Sequence, residues 1–238
     1  MTTALLGASL MALTACSGGS DTKTEAPAKE AAKAPVTLAD VLAHPRRAEN
    51  TARDQFRNPK ETLEFFEVGP GKKVGEIWPG WYTPVIAPYL AENDGTYVAV
   101  LRQGDAERTV QRNAAFTDKY VGAEGFGDIQ IGKFGSEDAP ILETGDLDVL
   151  LSFRNVHSWM RGGFADKAFA DFYAALKPGG ILGIVQHREP EVATTDPAET
   201  MRGYVKQSYI VNLVTSYGFE LINYTILIFK NFYDVTHC

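Results

Sequence analysis

The chain has 238 residues, with 30 Asp and Glu against 23 Lys and Arg and a formal net charge of −7. Binding to nucleic acid draws on clustered Lys and Arg, and no run of this acidic chain supplies them, so a nucleic-acid partner is not expected. An apolar fraction of 45% and an aromatic fraction of 11% suffice for one ordinary domain with a real core, plus an extension.

The extension comes first. Residues 4–13, ALLGASLMAL, form an apolar stretch too short to cross a bilayer as a helix, and Thr14-Ala15-Cys16 follows it. A short apolar segment that ends in small residues has the form of an export signal. The ending Leu13-Thr14-Ala15-Cys16 resembles the lipobox of bacterial lipoproteins. That resemblance implies cleavage before Cys16 and acylation of its thiol, which would hold the protein to a membrane surface on the periplasmic side without spanning it. Ser17, where an Asp would signal retention, implies the outer rather than the inner membrane. Residues 17–35 carry no large apolar side chain and are expected to be a disordered tether. The organisation read from the chain is therefore a signal over 1–16, a tether over 17–35 and a domain over 36–238. Cys238 is the one other cysteine, so with Cys16 acylated no internal disulfide is available and the core alone must hold the domain.

Within the domain, 37–68 is helix-prone. Asn58-Pro59 supplies a cap-plus-proline start, with Leu63, Phe65 and Phe66 as apolar contacts. GPGKK turns into a strand over 74–78. After Pro79-Gly80, Thr83-Pro84 repeats the cap-plus-proline start and opens a helix carrying Val85, Ile86, Tyr89 and Leu90. The spacing then predicts a strand over 96–101, a polar-faced helix over 106–121, a weaker alternating strand over 128–134 and a strong strand over 147–153. Phe169, Phe172, Tyr173 and Leu176 mark a helix over 166–177, which Pro178-Gly179-Gly180 stops. A buried strand over 181–187, a helix over 208–218 with Ser208 as cap, and a last apolar strand region over 219–229 complete the pattern. Near-continuous apolar strands alternating with helices imply a doubly wound α/β domain with a mostly parallel sheet covered on both faces. In such sheets ligands bind beyond the carboxyl ends of the strands, where the strand order reverses. Functional residues are thus expected in 78–82, 101–105, 134–138, 153–159 and 186–189. The four histidines are scattered, and no metal-ligand cluster, Gly-x-Ser-x-Gly elbow or phosphate-loop motif occurs, so no metal is expected.

The layout from about residue 59 to 222 resembles the class I S-adenosylmethionine-dependent methyltransferases, a Rossmann-like family. LKPGGILGIVQH (176–187) and GYVKQSYIVNLVTSYGFELI (203–222) are similar to its later helix–strand pairs. EIWPGWYTPVIAPYL and DVLLSFRNVHSWM resemble a narrower group of exported bacterial proteins described as predicted methyltransferases. The resemblance implies S-adenosyl-L-methionine as cofactor and a loop after the first strand that cradles its methionine half. Glu76 matches that loop's acidic residue and Gly80 one of its glycines. Trp78 and Trp81 stand where other glycines would be, flanked by Pro79 and Tyr82. The second strand ends in Leu101-Arg102 instead of an acid, which leaves Asp105 as the nearest carboxylate for the ribose. Phe134 and Gly135 fall where the family meets the adenine. Arg154, Asn155 and His157 fall where it places catalytic and substrate-binding groups.

Each of these residues also has a structural reading. Trp78, Trp81 and Tyr82 either stack on a ligand or fill space. A lone buried carboxylate such as Glu76 needs hydrogen bonds, whether from a ligand or from the loop it fixes. Asn155 and His157 either position and deprotonate an acceptor or fix their loop, and His187 is a second candidate. Two functions therefore stand side by side. One is a membrane-anchored methyltransferase that acts on a small-molecule acceptor. The other is a lipoprotein of the same fold that binds a small ligand without turnover. The end of the chain, NYTILIFKNFYDVTHC, is too short for the family's closing hairpin. It either leaves the last strand's slot empty, which would favour association through an open sheet edge, or refills it with 226–233.

Overall fold

The computed structural model describes residues 34–141, 145–192 and 203–224. The signal, nearly all of the tether and the segment 225–238 lie outside the described residues.

The helix-prone start is helical in pieces. α1 (Leu38–Ala43) opens with a capping box: the Thr37 hydroxyl accepts from the Asp40 amide, and the Asp40 carboxylate accepts from the Thr37 amide. Short 3-10 turns at Pro45–Arg47 and Thr51–Arg53 lead into α2 (Asp54–Arg57) and α3 (Pro59–Phe65). The breaks fall where proline excludes the helical conformation from the preceding residue. His44 is extended and Asn58 is left-handed, at φ 40°. Asn58 therefore stands at the cap position of α3 without a side-chain capping bond, unlike the sequence expectation.

The domain is built on a parallel sheet. Its elements are β1 (Lys73–Ile77), α4 (Thr83–Ala91), β2 (Thr96–Arg102), α5 (Glu107–Tyr120), β3 (Gln130–Phe134), β4 (Leu147–Phe153), α6 (Val156–Arg161), α7 (Ala165–Ala175) and β5 (Leu176–Val185). The strand order is β3-β2-β1-β4-β5, with every neighbouring pair parallel. The central strands bury both faces, as their apolar runs require. One core cluster holds Leu63, Val85, Ile86, Leu90 and Leu151; the other holds Ile77, Val98, Leu150, Trp159, Phe169 and Phe172. Each fully buried side chain of this size contributes about 2 kcal/mol of apolar transfer. The expected fold class is the one observed.

Two boundaries differ instructively. α7 ends at Ala175, where Leu176 is already extended, so Pro178-Gly179-Gly180 lies inside β5 and not at the end of the helix. Leu176 pairs with Leu147 and Ile181 with Val149, so the proline and glycines form a bulge, with Gly179 at φ 77°. After β5, β6 (His187–Glu189) and β7 (Tyr204–Lys206) form a separate parallel pair, and α8 (Gln207–Ser216) follows. Lys206 takes the cap position of α8, while the Ser208 amide and hydroxyl donate to the Glu191 carboxylate. The strand expected over 219–229 is not formed by its described part. Gly218, at φ 93°, turns the chain against Tyr173, and Phe219 packs edge-on to that ring at 5.2 Å. Among the described residues β5 is an outer strand, and a groove of about 940 Å³ runs between its edge, α3 and α8, lined by Phe65, Ile184, Ile210 and Val214. The segment 226–233 that was expected to refill this slot lies outside the described residues.

Candidate active site

The strand order reverses between β1 and β4, and this crevice gathers the loop after β1, the loop after β4 and the end of α2. Two of the residues forming it take left-handed backbone that L side chains adopt at a cost of about 1–2 kcal/mol: Trp78 at φ 51° and Arg154 at φ 62°. They sit at the carboxyl ends of the two strands that flank the reversal.

Glu76 organises the first loop. It is 2% exposed, and its carboxylate accepts from the Tyr97 hydroxyl at 2.6 Å, the Thr83 hydroxyl at 3.3 Å and the Gly80 amide at 3.2 Å. Burial pushes its pKa up to about 7, against the opposing pull of these three donors and the Arg57 charge. All three hydrogen bonds of this carboxylate come from the chain itself, so the loop-fixing role is the one its geometry fills. It also explains Thr83: instead of capping α4, the hydroxyl turns inward to Glu76 and Tyr97, and Tyr82 takes the cap position.

The two tryptophans leave the loop in opposite directions. The Trp78 ring joins Phe134 and Trp159 on one face of the sheet, and its indole N–H donates to the Phe134 carbonyl at 3.0 Å. Trp81 joins the opposite core, donates to the Asn50 carbonyl at 3.3 Å and packs edge-on to Tyr82 at 4.9 Å. Tyr82 is itself buried, stacked on Phe153 at 3.9 Å, and donates to the Arg57 carbonyl. Between the diverging rings lies Gly80, which is exposed; a Cβ placed on it would meet nothing within 4 Å. The Gly80 amide is used by Glu76. Among the described residues the amides of Trp81 and Tyr82, at the entry to α4, have no acceptor. Open space, two free donors and a nine-residue helix N-terminus together suit an anionic or polar ligand group.

At the rim formed by β2 and β3, Arg102 stands where the resemblance calls for an acid, and its guanidinium lies 3.7 Å from the Trp78 ring centre. Asp105 is exposed in the turn beyond. Phe134 is 1% exposed and surrounded by Trp78, Trp159, Phe164 and Phe172, so its ring is core; what it offers at the rim is backbone. A Cβ on Gly135 would lie 2.8 Å from that of Gln103, so glycine permits the two loops to touch.

Beyond β4, the Asn155 side chain donates to the Ile77 carbonyl at 3.1 Å and ties the two strand ends together. Half-buried His157 meets the Gln186 amide nitrogen at Nδ1 (3.3 Å), and that amide also donates to the Gly203 carbonyl. Burial lowers the pKa of both His157 and His187, with Arg154 adding to the shift in each, so both rings are neutral at pH 7. With Gln186 donating to Nδ1, the neutral His157 ring carries its proton on Nε2. Sequence reasoning missed Arg57, which reaches the crevice from α2, and Tyr97, the second-strand donor to Glu76. The i,i+4 spacing of Arg53 and Arg57 was the available signal for the first; nothing local marks the second.

No family model matches the sequence, and no curated protein matches it. Among solved structures, a SAM-dependent methyltransferase from Aquifex aeolicus aligns at 16% identity over 77% of this chain and 88% of its own, with a TM-score of 0.54. The fold is that of the S-adenosylmethionine-dependent methyltransferases. In this methyltransferase fold the crevice described above lies at the reversal of strand order. A possible exported protein from Bordetella parapertussis aligns at 16% identity over 83% of this chain and 70% of its own, with a TM-score of 0.44. An arsenic(III) S-adenosylmethionine methyltransferase from Chlamydomonas reinhardtii aligns at 17% identity over 63% and 52%, with a TM-score of 0.41. Of these three, the Aquifex aeolicus structure alone is near enough to bear on the fold.

Proposed function

We propose that the protein is an S-adenosylmethionine-dependent methyltransferase acting on a small-molecule acceptor. In this reading it is held through acylated Cys16 to a membrane, the outer rather than the inner, and faces the periplasm. The observation that carries the catalytic part is the open space at Gly80 beside the free amides of Trp81 and Tyr82. The residues present fit the cofactor: those amides would take the methionyl carboxylate, Asp105 the ribose hydroxyls, and the Gly135 backbone, next to Phe134, the adenine edge. Bound there, the cofactor would supply a methyl group to a lone pair of the acceptor, the sulfur–carbon electron pair remaining on sulfur. The chain's part is alignment. Glu76 fixes the loop, Asn155 fixes the spacing of β1 and β4, and the His157 Nε2–H orients the acceptor. A proton released by the acceptor passes to a neutral imidazole, for which His187 is the candidate.

The second reading, binding without turnover, is favoured by one arrangement: Arg102 in place of an acid, covering Trp78 in place of a glycine. Calorimetric titration of S-adenosylhomocysteine separates the two. Micromolar binding that Glu76→Ala abolishes supports the enzyme, whereas no heat at millimolar ligand supports the alternative. The anchor has its own test. Cells expressing the full chain are expected to incorporate labelled palmitate into the protein, and Cys16→Ser is expected to abolish the label and release the protein from the membrane fraction. Label retained by Cys16→Ser would refute acylation at that position.

A further inference from the structure

The chain carries seven more acidic than basic side chains, yet the crevice at the strand reversal collects cations that lack carboxylate partners. The contrast lies within a few residues. Fully buried Arg47 is neutralised by Asp54, with guanidinium–carboxylate contacts of 2.6 and 3.0 Å, and also donates to the Leu42 carbonyl. Arg53, Arg57 and Arg154 have no such bond: among the described residues none donates to a side chain or carbonyl, and none lies within 4 Å of a carboxylate. Half-burying a guanidinium without a counter-ion is costly, so the arrangement calls for a source of compensation.

Stacked aromatic rings lead from Arg57 to Arg154. The Arg57 guanidinium stacks 4.8 Å from the Trp81 ring centre and 5.9 Å from that of Tyr82. Stacking occupies the flat face of the group and leaves its in-plane N–H fork free. Tyr82 in turn stacks on Phe153, the residue before Arg154. Arg154 is held at its left-handed φ with its amide bonded to the Val185 carbonyl at 2.7 Å. Burial first, and then the like charges of Arg154 and Arg53, push Arg57 down to about 10; burial and then Arg53 lower Arg154. These groups therefore share one field. The opposing carboxyl, Glu76, is tied to Tyr97, Thr83 and Gly80.

We propose that Arg57 and Arg154 form an anion site, so that the small molecule taken at this crevice carries a carboxylate or phosphate seated between the two guanidiniums, with Trp81 and Phe153 against its body. As a statement about the methyl acceptor this rests on the methyl-transfer reading; as an anion site it does not. A planar fork suits either group bidentately, and a half-buried pair exceeds an exposed lysine in selectivity.

The test titrates the full chain with benzoate, its neutral counterpart benzamide, and inorganic phosphate, read by calorimetry and tryptophan fluorescence, with S-adenosylhomocysteine and 5′-methylthioadenosine titrated separately. Expected is saturable binding of benzoate or phosphate but not of benzamide. The affinity should be weakened about tenfold or more in both Arg57→Gln and Arg154→Gln, with S-adenosylhomocysteine affinity unchanged and the thermal midpoint not lowered in either. Equal binding of benzoate and benzamide, with no binding of phosphate, would overturn the proposal. So would variants that lose S-adenosylhomocysteine while keeping 5′-methylthioadenosine, because the arginines would then hold the cofactor's carboxylate. Anion binding that the variants weaken, in a protein that ignores S-adenosylhomocysteine, would support the anion site and refute methyl transfer alone.

Discussion

Glu76 is expected to contribute about 3 kcal/mol of stability at pH 4.5 that is gone by pH 8, a contribution that Glu76→Gln removes. The Glu76 carboxyl titrates at about 7 in the folded chain against an ordinary 4.5, so the folded state binds this proton more tightly than the unfolded one. Its contribution is complete below about 4.5 and disappears as the pH rises through about 7. The two imidazoles at the crevice act in the opposite sense. Their pKa values are lowered on folding, so their contribution grows as the pH rises through the ordinary imidazole range. Subtracting the Glu76→Gln curve removes them, and denaturant unfolding at half-unit pH intervals measures the difference. Parallel curves for the two proteins would show that Glu76 does not titrate as its surroundings demand. Glu76→Ala is expected to cost more at every pH, by about 1–3 kcal/mol, because the buried Tyr97 and Thr83 hydroxyls then keep only each other as partners.

The second large effect concerns ligand and not stability. Gly80 has ordinary φ, is exposed, and would give a Cβ nothing to meet within 4 Å. Gly80→Phe should therefore leave the thermal midpoint nearly unchanged while filling the space in front of the Trp81 and Tyr82 amides. Loss of two charge-assisted hydrogen bonds at about 1.5 kcal/mol each predicts a fall in S-adenosylhomocysteine affinity of about a hundredfold. A variant that folds and binds as the wild type does would show that no ligand approaches Gly80.

Much of the frame was legible because it rests on local signals. The apolar runs around Val74, Val98, Leu150 and Ile184 are strands in the structure, and their near-continuous burial foretold parallel pairing. The crevice was legible at the level of segments: Trp78–Tyr82 and Arg154–His157 are brought to the same end of neighbouring strands. What failed to show is what depends on direction. Trp78 and Trp81 are three residues apart, but the left-handed turn at Trp78 sends their rings to opposite faces of the sheet. Glu76 reads as a lone buried acid because its strongest donor, Tyr97, comes from the next strand. The i,i+4 spacing of Arg53 and Arg57 marks a shared helix side, but the stacking of Arg57 on Trp81 that brings it to the crevice is a long-range contact. Pro178-Gly179-Gly180 carries the signature of a turn and behaves as a bulge, since Leu176 is already paired with Leu147.

Amide chemical shifts of ¹⁵N-labelled protein during titration with S-adenosylhomocysteine report on the backbone donors themselves. Saturable movement of the Trp81 and Tyr82 resonances is expected, with Gly80 following and Val211 and Val214, on the α8 wall of the groove, unmoved. Stationary Trp81 and Tyr82 resonances at saturating ligand, or movement confined to the groove, would contradict a ligand site at these amides.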